Sequence, residues 1–275
     1  MSMASIFAES QHLPHIPKVV QELIESFRDD NIDADKISDK VALDQALTAK
    51  VLRLANSAHY GVSRTIANPH DAIMLLGFNT LRTMVLASGV SGAFKPPQGF
   101  DQKAFWRDAF TIAALSRFLA SYTPDCDKDT AFTCGMLHSI GQLLIRIVMP
   151  AETASIDEAE KLGGTRHTLE SGQLGFSSAE VGAELAKRWK FPQEMQQAIE
   201  QQYNPGLEKP YTQLAGILYL ARFLKQAREA QQSDDEIRDT FPRQVAQSIA
   251  LDSEAALADL AALDSLSSGL DGLLE

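Results

Sequence analysis

Cysteine is scarce in this chain of 275 residues. Cys126 and Cys134 are the two present, and their separation matches neither a CxxC redox pair nor a zinc-ribbon spacing. They read as reduced thiols. Positive charge is in deficit: 25 Lys and Arg stand against 36 Asp and Glu, a formal net charge of −11. That balance opposes general attraction to a polyphosphate backbone and disfavours nucleic acid as a partner. Long apolar runs are missing. The longest uncharged stretch, Ala131 to Ile145, contains His138 and Gln142 and falls short of the roughly 20 residues that cross a bilayer. Met1 to Ser10 has no basic segment ahead of an apolar one. A cytoplasmic protein with no membrane partner is expected. Neither the P-loop pattern nor GxGxxG occurs. Alternating strand patterns are hard to find, and no repeat of fixed period is visible.

What the chain does have is helical spacing almost everywhere, within an ordinary globular composition of 45% hydrophobic and 22% charged residues. The fold class is all-α. Residues 1–12 read as an N-terminal arm, extended around His12 and His15. Residues 13–94 form a lobe of short helices. Ile16, Val19, Val20, Leu23, Ile24 and Phe27 share one helix face that Pro17 starts; Asp44 caps a helix carrying Leu47, Val51 and Leu54. Asn68-Pro69 starts another that Gly77 ends, and Asn79 caps Leu81 to Ser88. Lys95 to Gly99, with two consecutive prolines, breaks the periodicity and marks the boundary of a larger lobe over 95–230. Its helices are expected at about Asp101–Tyr122, Asp129–Val148, Ala151–Leu162, Ser178–Trp189, Pro192–Tyr203 and Pro210–Ala227. Residues 231–275 read as a polar, acidic helical tail with amphipathic pieces around Val245–Leu251 and Ala255–Leu263. Asp252 to Glu275 holds six acids and no base. A second partner-binding piece there competes with a solvated tail.

The six histidines are scattered. No carboxylate pattern accompanies His12 and His15, which argues against a metal site there. Cys134 and His138 share a helix face, the spacing of a nucleophile and its base. Phe132, Met136, Leu137 and Ile140 around them point instead to a buried thiol beside a hydrogen-bonded core histidine. His167 and Glu170 read as a solvated face. Asp33 to Asn56 imitates a helix-turn-helix. Between Asp33 and Arg64, however, Lys36, Lys40, Lys50, Arg53 and Arg64 are offset by Asp33, Asp35, Asp39 and Asp44, leaving little attraction for phosphate.

Leu13-Pro14-His15-Ile16-Pro17, the run Val51 to Gly61 with Arg53-Leu54-Ala55-Asn56-Ser57 and Tyr60-Gly61, and Ala72 to Gly77 with Leu81-Arg82 resemble the HD-related output domain, HDOD, of bacterial signalling proteins. Phe105-Trp106-Arg107, Cys134 to Gly141 and Ala179 to Leu185 continue the resemblance, which spans roughly residues 10–225. It implies an HD-superfamily-like helical fold, with a group of short helices packed on a larger lobe, and a regulatory role exercised by binding a protein partner.

Catalytic HD relatives hold metals with histidines and aspartates. By resemblance, Asp108 stands where one of those histidines is expected, and His138 keeps its place. Ser139 replaces the superfamily's aspartate, and Ser178 replaces the histidine of the HD-GYP Gly-Phe-x-His-Ala-Glu motif. Gln202 and Tyr203 replace paired histidines, and Arg222 replaces the late aspartate. A hydroxyl is a feeble ligand and a guanidinium repels a divalent ion. The resemblance therefore implies a vestigial pocket with no catalytic residue, metal or cofactor. Within it, Asp108 and Arg222 are expected to pair across the old metal position. Arg53, Asn56, Ser57 and Tyr60 are candidates for a partner-binding surface, against a reading in which Asn56 ends a helix in a left-handed conformation. Three alternatives stand beside this: a metal-dependent phosphohydrolase, a nucleic-acid binder using Asp33 to Asn56, and a sensor of a small nucleotide in the vestigial pocket.

Overall fold

The computed structural model describes residues 3–8, 16, 18–25, 39, 41–42, 45–56, 65–94, 97, 99–204 and 212–263. The described residues are helical throughout, with no strand among them. The first lobe comprises α1 (Met3–Ala8), α2 (Lys18–Glu25), α3 (Gln45–Ala55), α4 (Pro69–Leu76) and α5 (Phe78–Ala93). The second comprises α6 (Gln102–Ala120), α7 (Lys128–Leu137), α8 (Ile140–Val148), α9 (Pro150–Lys161), α10 (Arg166–Leu174), α11 (Ser178–Arg188), α12 (Gln193–Gln201) and α13 (Gln213–Glu229). Three short helices follow, α14 (Asp234–Thr240), α15 (Arg243–Ser248) and α16 (Ser253–Ala258), then a 3-10 turn at Leu260–Ala262.

Local chemistry sets most helix starts. Asp101, Asp127 and Thr212 accept the backbone N–H of Ala104, Thr130 and Ala215 and so cap α6, α7 and α13. Ser177 with Glu180 and Ser233 with Glu236 close reciprocal capping boxes on α11 and α14. Asn68 caps α4 ahead of Pro69, as expected. Asn79 does not cap the next helix, because α5 begins directly after Gly77 and the asparagine falls inside its first turn. Asp44 and Pro17, the expected starts of α3 and α2, lie outside the described residues, as does most of Asp33 to Val41.

The two lobes share one apolar cluster that runs from Ile6 to Leu263, with α5 packed on α7. The hydrophobic centre is the pairing of α6 with α7, where Gly135 lets the α7 backbone approach Ala113. A second close approach fixes α8 against α11: a Cβ on Gly141 would fall on the Ser178 carbonyl and the Gly182 amide. Neither backbone atom can step aside. Gly141→Ala is therefore expected to destabilise the protein by about 1–3 kcal/mol, measured by urea denaturation.

Three expectations change here. The single helix expected over Asp129–Val148 is broken at His138 and Ser139, although the apolar pattern continues through the break. Lys128–Val148 has the length and mean hydropathy of a membrane-crossing segment, but 72% of its apolar window is buried inside the protein. The N-terminal arm contains α1, whose Ile6 and Phe7 are buried and whose Phe7 ring lies under the Arg188 guanidinium at 4.5 Å. The stretch after Gln231 is no solvated tail as far as Leu263. Ile237, Phe241, Ile249, Leu257 and Leu260 join the core, Asp252 N–H donates to the Tyr122 carbonyl at 2.9 Å, and the Tyr122 hydroxyl donates to Asp259 at 2.6 Å. Its acidic character sits on the outward faces of helices whose inward faces are apolar.

Candidate functional site

The break between α7 and α8 places His138 in the wall of a cavity of about 760 Å³ bounded by α6, α8, α10, the end of α12 and α13. Asp108, His138, Ser139, Gln202, Tyr203 and Arg222 all line it, so the structure brings together these residues assigned by resemblance. Ser178 does not line it. That residue is buried at the first turn of α11, where its N–H donates to the Glu170 carboxylate at 2.6 Å.

His138 is neutral. Burial and the nearby Arg222 cation push its pKa down to about 3. Its Nδ1 lies 2.5 Å from the Gly135 carbonyl, which fixes the tautomer with Nδ1–H donating and leaves Nε2 as a free acceptor on the cavity side. Gln202, fully buried, donates its amide to the Ile199 carbonyl at 2.7 Å and to the His138 carbonyl at 2.9 Å, tying the end of α12 to the α7–α8 break. Tyr203 stacks on His167 with ring centroids 4.4 Å apart, and the Arg222 guanidinium lies 4.2 Å from the Tyr203 ring centre. Thus His167 belongs to the cavity wall, not to a solvated face.

The expected Asp108–Arg222 pair is not formed. Asp108 is 62% exposed and is met instead by Lys225 at 3.5 Å. Lys225 sits three residues after Arg222 on the same face of α13, and it also pairs with Glu229 at 2.6 Å. Arg222 has no carboxylate within 4.0 Å among the described residues. Cys134 and His138 do not form a nucleophile–base pair: His138 Nδ1 is committed to Gly135, Cys134 is fully buried, and burial holds its thiol well above its ordinary pKa. Both cysteines are free thiols.

The donor set does not fit a divalent metal. Among the described residues no group of three or more His, Cys, Asp and Glu side chains converges. At the positions assigned by resemblance, one neutral histidine nitrogen and an exposed, lysine-paired carboxylate remain beside a fixed cation, and the other lining acids, Glu160 and Glu229, are paired with Arg166 and Lys225. Sequence reasoning missed the ion network that forms the cavity's outer wall. Arg166, 10% exposed, pairs with Asp157, with Glu160 at 2.8 Å and with buried Glu170 at 3.6 Å. Arg146 of α8 grips Asp157 with two hydrogen bonds of 2.7 and 2.9 Å. The Arg166–Glu170 spacing was the one visible signal.

The surface candidates separate. Arg53 is exposed on α3, whereas Lys50 beside it donates to Ser88 on α5 at 2.8 Å. Asn56 is not left-handed. Its side chain donates to the Leu52 carbonyl at 2.7 Å and the Ile66 carbonyl at 2.8 Å, and accepts the Ile66 N–H at 2.7 Å. This bracket clasps the chain on both sides of residues 57–64, so the asparagine has a structural job. Asn56→Ala is expected to cost about 2 kcal/mol in urea denaturation, since it strands the paired Ile66 groups. Ser57 and Tyr60 lie outside the described residues.

Comparison with known proteins places this architecture. The HDOD domain model matches residues 13–205. A crystal structure of a "Putative phosphohydrolase" from Shewanella amazonensis SB2B is 35% identical, with TM-score 0.84, covering 99% of this chain and 98% of that one. An HDOD domain protein from Geobacter sulfurreducens is 22% identical with TM-score 0.80, covering 95% and 93%. A "Putative signal transduction protein" from Marinobacter aquaeolei VT8 is 24% identical with TM-score 0.80, covering 95% of this chain and 59% of that one. An "Uncharacterized protein" of Treponema pallidum (strain Nichols) is 23% identical over 221 residues, 79% of this chain, which spans 43% of that relative's length. The helical order, the cavity at the α7–α8 break and the match over 13–205 agree: the chain belongs to the HDOD family.

Proposed function

We propose that this protein is a cytoplasmic, non-catalytic regulator of bacterial signal transduction that acts by binding a protein partner. The observation that carries the reading is the donor set of the cavity. Where a hydrolytic relative needs anionic and imidazole ligands, the positions matched by resemblance hold Ser139, Gln202 and Tyr203 with the cation Arg222, and leave neutral His138 with an exposed, lysine-paired Asp108. A regulator needs no turnover, only a surface. Arg53 on α3 and the exposed Met74 and Leu75 on α4, which packs against α3, offer one on the first lobe. The signalling context is supported by the name of the Marinobacter relative and by the family.

The phosphohydrolase reading is the rival, and the name of the Shewanella relative favours it. Metal quantification of the purified protein, run beside hydrolysis of bis(p-nitrophenyl) phosphate with manganese, iron, magnesium or zinc added, separates the two. Far less than one metal per chain is expected, with background turnover that His138→Ala leaves unchanged. One metal per chain together with turnover that His138→Ala abolishes would overturn the proposal.

A further inference from the structure

The charges lining the cavity are Asp108, Glu160, Glu229, Arg166, Arg222 and Lys225, three acids against three bases. Two of the bases are neutralised: Lys225 by Asp108 and Glu229, Arg166 by Glu160 together with Asp157 and Glu170 from behind the wall. Arg222 is different. Its guanidinium makes no hydrogen bond or ion pair with any described residue and is held in place by the face of Tyr203 at 4.2 Å. A half-buried guanidinium oriented by a ring, with its N–H fork unspent, matches a planar or tetrahedral anion. The same cation lies close enough to His138 to lower its affinity for a proton. The unpaired Nε2 of His138 adds a neutral acceptor nearby, and Phe105, Tyr219 and Phe223 add an aromatic wall. The volume, about 760 Å³, lies in the range of small-molecule sites.

Building on the non-catalytic reading of the same cavity, we propose that it is a receptor site for a small organic anion bearing an aromatic ring, whose charged group is held directly by Arg222. One unpaired cation in a lining of zero net charge suits a small anion and gives no attraction for a polyanion. The anionic group is a carboxylate or a phosphate ester. Binding would report to the rest of the fold through Tyr203 and its neighbour Gln202, whose amide holds the His138 carbonyl.

Isothermal titration with benzoate, phenyl phosphate and the neutral isostere benzamide tests this. At least one of the two anions is expected to bind about tenfold or more tightly than benzamide, the tighter one naming the source of the charge. Arg222→Gln should abolish that preference and Arg222→Lys should retain most of it, with circular dichroism confirming the fold of each. Equal binding of the anions and benzamide, no binding of either anion, or a preference that survives Arg222→Gln, overturns the inference. Should Arg222→Gln fail to fold, the wild-type comparison with benzamide decides alone. Hydrolysis of phenyl phosphate during the titration would instead sink the non-catalytic reading, so the two failures are distinguishable.

Discussion

Arg166→Ala is expected to destabilise the protein by about 3–5 kcal/mol, because it leaves the carboxylate of Glu170, 1% exposed, without its cation. The residue is the hub of three acids: Asp157 on α9, Glu160 one turn later, and Glu170 on its own helix. Burial alone would raise the pKa of Asp157, yet the hydrogen bonds from Arg146 and Arg166 hold it below its ordinary value. Removing Glu170 is a smaller insult. Glu170→Ala costs the hydrogen bond to Ser178 N–H at the start of α11, about 1–2 kcal/mol, while Arg166 keeps Asp157 and Glu160. Urea denaturation of the two variants checks the order. Equal losses would show that solvent, not Arg166, satisfies Glu170. The Asp157 contribution has a defined sign with pH: it is present above the carboxylate's unfolded pKa and is lost as the pH falls through the lower folded value.

A second large effect comes from His138. In the unfolded chain its imidazole protonates near pH 6.5, but in the folded protein its pKa is about 3. Above pH 6.5 both states are neutral and the fold has its full stability. As the pH falls below that value the unfolded chain takes up a proton that the folded chain cannot, so stability drops by about 1.4 kcal/mol per pH unit. Between pH 6.5 and 4.5 the loss attributable to this residue is about 2 kcal/mol. His138→Asn retains a donor for the Gly135 carbonyl and removes the titration. Its stability should therefore vary less with pH over that window by the same amount, read from urea midpoints at several pH values. A slope identical to wild type would show that water reaches the ring and that it protonates in place.

Parts of this were legible in the residues, for reasons that differ by element. Asn68-Pro69 and Gly77 are local signals, and α4 starts and stops where they say. The break at His138 was invisible because the apolar pattern continues from Phe132 to Ile145; just beyond the break, Gly141 seats closely on α11, a tertiary contact that the pattern does not carry. Helix α10 was missed because it is held mainly by charge. Its buried residue is Glu170, and a helix whose inward face is ionic carries no hydrophobic period. Around the cavity, resemblance located the wall residues but not their pairings. Arg222 and Lys225 occupy neighbouring turns of one helix face, and only coordinates reveal which one reaches Asp108.

The domain match stops at residue 205, yet α13 lies beyond it and supplies Ile217, Leu218, Leu220 and Ala221 to the interior with no exposure, as well as Arg222 to the cavity. Helix α15 then packs on α13, and α16 on α15. A fragment trimmed to the family limits would consequently be a shell missing its keel: sticky where the last helices belong, and without the guanidinium of Arg222.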